Sequence, residues 1–336
     1  MPGRAGEERV EHPLRGMSVV EWGIGRRKFC DLFAVSLRAI AVGAVLAFHA
    51  GLPWFAGGFV GVDIFFVLSG FLITGLLAQE VARSGRVRLG MFWARRARRL
   101  LPASAVVLAF SAFVTWAFLP ITQRSAFGGD IVSAALYVVN WRLAGRSVDY
   151  LAEDVGASPV QHFWSLAVEE QFYILWPLLM LLVAVLAARR WRRGAFILLA
   201  TVTALSFLWA VIQSHSNPET AFFVSTTRIW ELGPGALLAL SAAKVVRIPA
   251  VLRAAGGWIG LLAIGYSVLF FSGATVWPGV STLIPTIGAA LMIASGISPT
   301  PGSPQRLLSI APMVWIGGPS YSLYLWHWPM IVGAEA

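Results

Sequence analysis

The sequence predicts an all-α protein that crosses a membrane many times. Of its 336 residues 57% are hydrophobic and only 12% are charged, about half the charged share of a soluble domain. Mean hydropathy is +0.73. Apolar runs long enough to cross a bilayer recur from residue 32 to residue 333, separated by Pro- and Gly-rich stretches such as SPTPGSP. No soluble domain of useful size fits between them, and no internal repeat or low-complexity tract is present.

The first element is polar. Residues 1–30 mix acids and bases, whereas a cleavable signal peptide passes at once from a short basic region into an apolar run. The expected organisation is a cytoplasmic tail at 1–30 and a membrane domain at 31–336, with the first span acting as an uncleaved anchor. The net charge is +10. Lys and Arg gather in short loops, as the positive-inside rule asks of a cytoplasmic face, so the charge speaks for topology and against a nucleic-acid partner. The single cysteine, Cys30, has no intramolecular disulfide partner, and no Cys/His spacing suggests a metal site.

Two basic segments set the orientation: 83–99, RSGRVRLGMFWARRARR, and 189–193, RRWRR. With both inside and the N-terminus cytoplasmic, spans are expected at 32–50, 60–79, 100–119, 163–187, 195–213, 221–243, 256–272, 279–297 and 310–333. Lys244, Arg247, Arg253 and Arg306 then fall inside, as they should. The stretch 130–143, DIVSAALYVVNWRL, is too short to cross, and crossing there would leave RRWRR outside. It is expected as an interfacial or re-entrant helix on the outer face. The reading is about nine spans plus that helix.

Ionisable side chains inside a membrane are rare and costly, so each is a candidate for function. Arg38 and His49 share the first span, eleven residues apart, which is about three turns and ~16 Å of rise on much the same face. One helix thus offers a cation near the cytoplasm and a titratable base in the outer half. The competing reading has Arg38 snorkelling to headgroups and His49 bonding near the interface. Asp63 opens the second span, within reach of orienting His49, or of capping its own helix. Ser69 and the glycines at 57, 58, 61, 70 and 75 read as close-packing positions.

At the third span, Arg96 and Arg99, or Arg95 and Arg98, are three apart on one helix face and suit phosphate oxygens, or else simply mark the cytoplasmic end. His162, Glu169, Glu170 and Tyr173 enter the fourth span from outside. Adjacent acids point to different sides of a helix, so only one of the two glutamates is expected to face the bundle. Arg228 and Glu231 are three apart, as an ion pair or as part of a substrate path. His327, between Trp326 and Trp328 near the outer surface, reads as an aromatic-belt position.

The order RAIAV…FHAG, GGFVGVDIFFVLSGFLIT, RRARRLLPA, HFWSLAVEEQFYILWP, RIWELGPGALLA and SYSLYLWHWP resembles the bacterial acyltransferase 3 family of integral-membrane O-acyltransferases, from about Leu37 to Met330. The resemblance implies a bundle of about ten helices in the bacterial plasma membrane. It also implies acyl-CoA, in particular acetyl-CoA, as co-substrate, no tightly bound cofactor, and a carbohydrate or lipid-linked acceptor. The family's arginine–histidine motif falls on Arg38 and His49, its paired arginines on Arg96 and Arg99, and the histidine is the residue associated with catalysis. Two departures stand out. Val35 and Ser36 replace an acid and a glycine, leaving that acid missing or supplied by Asp31. The chain also stops at Ala336, where family members continue into a further helix and often an SGNH-type domain, so a C-terminal truncation is expected.

The expected chemistry is transfer of an acyl group from cytoplasmic acyl-CoA, held by Arg38, Arg96 and Arg99, to an acceptor hydroxyl. His49, oriented by Asp63, would act as general base or transient acyl carrier. Glu169, Glu170, Tyr173, His162, Arg228, Glu231 and His327 would line the acceptor path or support it. A transporter or flippase uses the same kind of buried charges, and an inactive scaffold is the third class. Oligomeric state is not legible in the sequence.

Overall fold

The computed structural model describes residues 19–147 and 156–335, with side chains from residue 33 onward except at 188. Among the described residues the fold is helical throughout, without strands. The elements are α1 (Val19–His49), α2 (Gly61–Ser84), α3 (Leu89–Ala117), α4 (Ile121–Ala135), α5 (Val139–Ser147), α6 (Phe163–Ala187), α7 (Trp191–Ser216), α8 (Pro218–Phe223), α9 (Ser225–Arg228), α10 (Leu232–Val245), α11 (Ala250–Phe270), α12 (Leu283–Gly296), α13 (Gln305–Leu308), α14 (Ala311–Gly317) and α15 (Ser320–Glu335). Helix α1 reaches back into the stretch read as tail. The rest of that tail, residues 1–18, lies outside the described residues.

Among the described residues five helices are long and apolar enough to cross a membrane, namely Gly58–Ser84, Leu89–Ala117, Phe163–Ala187, Trp191–Ser216 and Ala250–Phe270. Phe33–His49 and Val280–Gly296 are shorter apolar helices. The two remaining expected spans are interrupted. Residues 221–243 do not form one helix: the chain turns extended at Val224 (φ −73°, ψ 140°) and resumes through α9 and a single 3₁₀ turn, Ile229–Glu231, before α10. Backbone freed at membrane depth must be satisfied by protein groups, and it is. The Thr227 hydroxyl donates to Ala221 O (2.6 Å) and Val224 O (2.9 Å), Asn140 Nδ2 donates to Phe223 O (3.2 Å), and Ser206 Oγ donates to Thr226 O (2.6 Å). Similarly 310–333 divides into α14 and α15, where Gly317 lies against Val35 O of α1 so closely that a Cβ there would stand 1.9 Å from it.

The helix expected at 130–143 is also two, α4 and α5, joined by a turn in which Tyr137 adopts φ 55°. Buried Asp130 holds the pair together through Arg142 (2.8 Å) and Arg146 (2.5 Å).

Helix α2 is the centre of the bundle. Of its most apolar window 67% is buried, against 17% for α7, whose large side chains face outward as lipid-facing residues do. Val62, Phe66, Ile73 and Leu77 of α2 join the core shared with α3, α6, α10 and α15. Ile64, Val67 and Leu68 join the one shared with α1, α11 and α12. Two glycine contacts set its depth. A Cβ at Gly61 would lie 2.3 Å from Ala41 O of α1, and one at Gly70 would lie 1.9 Å from Leu232 O of α10. Small residues let the backbones approach this closely, and that approach carries Asp63 up to Arg228.

Candidate active site

Three polar clusters sit inside the bundle. At the end that carries the α1–α2 turn, His49 closes α1 and meets His327 of α15, with His49 Nδ1 and His327 Nε2 3.2 Å apart. His49 Nδ1 is also 3.0 Å from Val45 O one turn back, and His327 Nδ1 is 2.6 Å from Tyr324 O. The Trp328 ring stands edge-on to His49 at 4.8 Å between centroids. His162, just ahead of α6, lies 5.4 Å from His327 ring to ring and donates Nε2–H to Leu325 O at 3.0 Å. Tyr324 links this group to α6 through Ser165 (2.6 Å). A cavity of about 420 Å³ opens here, walled by His49, His162, Gln161, Trp164, Trp277 and Trp328. Aromatic walls with a few convergent polar groups are the usual make-up of a small-ligand site. Despite three histidines, no group among the described residues is arranged to hold a metal.

The second cluster is fully buried. Arg228 Nη1 is 2.9 Å from Glu231 Oε1 and its Nη2 is 3.4 Å from Asp63 Oδ1, with all three side chains at most 1% exposed. The guanidinium lies 5.1 Å from the Trp164 ring and 5.6 Å from that of Phe222, and it reaches the cavity wall. This corrects the pairing expected from sequence. Asp63 makes no hydrogen bond to His49; its carboxylate faces Arg228 instead, on a helix that close contact at Gly70 holds against α10. The Arg228–Glu231 pair is formed as its spacing suggested.

The third cluster joins α3 to α6. Arg96 Nε is 2.9 Å from Glu170 Oε1 and 3.2 Å from Oε2, and its Nη2 is 3.5 Å from Glu169 Oε1. The same guanidinium stacks 3.2 Å over the Tyr173 ring. Ser69 Oγ donates to Glu169 Oε1 at 2.5 Å, and the Tyr173 hydroxyl donates to the same oxygen. Both glutamates therefore face the bundle, contrary to the expectation of one. Two long side chains on neighbouring positions can converge when the partner is a planar fork with donors on two edges. Ser69, read as a packing position, is a hydrogen-bond donor to a carboxylate.

Arg38 is half-buried on α1. Arg99 is exposed. Among the described residues neither Arg38 nor Arg99 has a carboxylate in ion-pair contact, whereas Arg96 has two. Of the three arginines expected to bind phosphate, Arg96 is already neutralised. The side chain of Asp31, the candidate replacement acid, lies outside the described residues. A smaller cavity of about 100 Å³ adjoins Arg96, Glu170 and Tyr137, and it shares no lining residue with the larger one.

The residues missed by sequence are Tyr324, Ser165, Gln161 and Trp164. A signal for the first existed. Tyr321, Tyr324 and His327 recur every three residues along α15, a polar stripe on one helix face.

Residues 36–336 match the model of a family described as an acyltransferase domain. Among curated proteins, the peptidoglycan O-acetyltransferase OatA of Listeria monocytogenes is 35% identical over 309 residues, covering 88% of this chain and 48% of that protein. The putative peptidoglycan O-acetyltransferase YrhL of Bacillus subtilis is 34% identical over 305 residues, with 88% and 48% covered. A putative O-acetyltransferase of Staphylococcus aureus is 34% identical over 303 residues, with 88% and 50% covered. The chain thus spans about half the length of these relatives. No solved structure matches it. With a family model covering nine-tenths of the sequence and every motif quoted above falling inside it, the chain belongs to the acyltransferase 3 family.

Proposed function

We propose that this chain transfers an acyl group, acetyl above all, from cytoplasmic acyl-CoA to a hydroxyl of a cell-envelope glycan, with His49 as the reacting base. The observation that carries the reading is the position of His49, an imidazole in the wall of an aromatic cavity of about 420 Å³. Its Nδ1 is engaged by Val45 O and His327, which leaves Nε2 for chemistry. Similarity to one peptidoglycan O-acetyltransferase and to a second, putative one favours a peptidoglycan sugar as acceptor, and tryptophan faces suit the apolar side of a sugar ring.

In this reading the N-terminus, the basic segments and Arg38 lie on the cytoplasmic side of a bacterial plasma membrane, crossed about nine times, and His49 lies toward the outer side. Arg38 and Arg99, two cations without carboxylate partners among the described residues, hold the donor phosphates by charge-assisted bonds. The acyl-pantetheine arm passes the Ser69–Glu169–Tyr173 layer, which must part to join the two cavities. At the top, His49 Nε2 takes the acceptor hydroxyl proton as oxygen attacks the thioester carbon. The C–S bond breaks, and the thiolate leaves with that proton. An acyl-histidine route uses the same Nε2 lone pair as nucleophile.

The experiment is release of free thiol from acetyl-CoA by membranes carrying wild type or His49→Ala. A loss of more than about 10²-fold is expected, the scale for removing a general base. Undiminished thiol release in the variant overturns the assignment. Acceptor movement without thiol release in wild type would instead indicate a transporter, the class that also uses interrupted helices such as α8–α10.

A further inference from the structure

We infer that His327 is a positioning residue for His49: it shares the proton on His49 Nδ1 and thereby keeps Nε2 as the basic atom facing the cavity. The inference rests on the role proposed for His49.

Three contacts determine where the protons are. A backbone carbonyl only accepts, and a neutral imidazole carries one N–H. Tyr324 O lies 2.6 Å from His327 Nδ1, so that nitrogen bears the hydrogen and His327 Nε2 bears a lone pair. His49 Nδ1 faces that lone pair at 3.2 Å and Val45 O at 3.0 Å. Both neighbours of His49 Nδ1 are acceptors. The proton of His49 therefore sits on Nδ1, and Nε2 is unprotonated. Any other distribution places lone pair against lone pair.

Val45 belongs to the same helix as His49, so its carbonyl sets the tautomer without setting the ring plane. His327 comes from α15 and supplies the second direction, its ring 5.0 Å from that of His49 and tilted 42° to it. Trp328 restrains the other side. When His49 takes the hydroxyl proton it becomes an imidazolium, and the bond from Nδ1–H to His327 becomes charge-assisted and stronger. His327 thus stabilises a charge present in the transition state and absent from the resting enzyme, while keeping its own proton on Nδ1 throughout. This is the logic of a base oriented by a third group, with an imidazole where other enzymes use a carboxylate.

The test compares His327→Phe, which fills similar space but accepts no hydrogen bond, with His327→Gln, whose amide oxygen can accept one. Expected for His327→Phe is a fall in kcat of about 10–100-fold, taking as guide the loss of the partner that orients a metal-bound histidine, with KM for donor and acceptor little changed. His327→Gln should recover most of that loss. Independently of either variant, ¹⁵N spectra of histidine-labelled wild type in bilayers should show His49, identified by the resonance lost in His49→Gln, protonated on Nδ1. A wild-type spectrum with the proton on Nε2 overturns the inference, as does unchanged kcat in His327→Phe or an equal loss in both variants. An active His49→Ala enzyme overturns the functional reading itself and is distinguishable from all of these.

Discussion

Arg96 Nε and Glu170 Oε1 stand 2.9 Å apart and tie α3 to α6. Because Glu169 reaches the same guanidinium, one cation answers two carboxylates. Arg96→Ala is expected to destabilise the protein by about 1–3 kcal/mol, since it leaves two partly buried acids unpaired. The loss should appear as a lower Tm in detergent. Adding Glu169→Gln and Glu170→Gln to Arg96→Ala should restore most of it, because neutral amides need no counter-charge.

Arg99 behaves differently because, among the described residues, no acid is in ion-pair contact with it. Arg99→Ala should leave the Tm close to wild type and raise KM for acetyl-CoA by about tenfold or more, the scale of one hydrogen bond to a charged group, with kcat little changed. Initial rates against donor concentration measure this. An unchanged donor KM would remove Arg99 from the phosphate site.

The two glycines of α2 at 70 and 75 give a paired prediction. A Cβ at Gly70 would meet Leu232 O at 1.9 Å, whereas one at Gly75 meets nothing within 4 Å. Gly70→Ala should therefore force α2 from α10, at a cost of about 1–3 kcal/mol, and pull Asp63 away from Arg228. Gly75→Ala should be neutral or stabilise by about 0.5–1 kcal/mol, the helix preference of alanine over glycine. Thermal unfolding of the two variants side by side checks both.

Gln161 is a polar group in a wall otherwise rich in aromatic rings. Gln161→Leu, similar in size, should raise KM for the glycan acceptor about three- to tenfold, the worth of one neutral hydrogen bond. Donor KM and Tm should hold. A rise in donor KM instead would place the thioester at this wall.

Much of the candidate site was legible because a polar residue in an apolar run declares itself. Arg38 and His49, Glu169 and Glu170, and Arg228 and Glu231 all stood out against their surroundings, and each lies inside the bundle or at a cavity wall. The partners were harder to read. The hairpin sequence set Asp63 beside His49, but α2 presents Asp63 to Arg228. His327 read as an interfacial aromatic-belt residue, yet it touches a histidine 278 positions earlier in the chain.

The interruptions were also hidden. Residues 221–243 are apolar enough to read as one span, and the break at Val224 depends on Thr227, Asn140 and Ser206 satisfying the freed backbone. Two of those three partners come from other helices, α5 and α7.

The sequence by itself determined that the chain is a helical membrane protein, which intramembrane groups are exceptional, and that Arg38 and His49 share one helix about three turns apart. Those follow from local physics: transfer to lipid, and the helical repeat. Only the tertiary structure decided that His49 is paired with His327, that Asp63 belongs to Arg228, and that Arg96 is neutralised. A helical repeat says which residues share a face, whereas the neighbour that face meets is settled by how closely the backbones approach, here at Gly61 and Gly70.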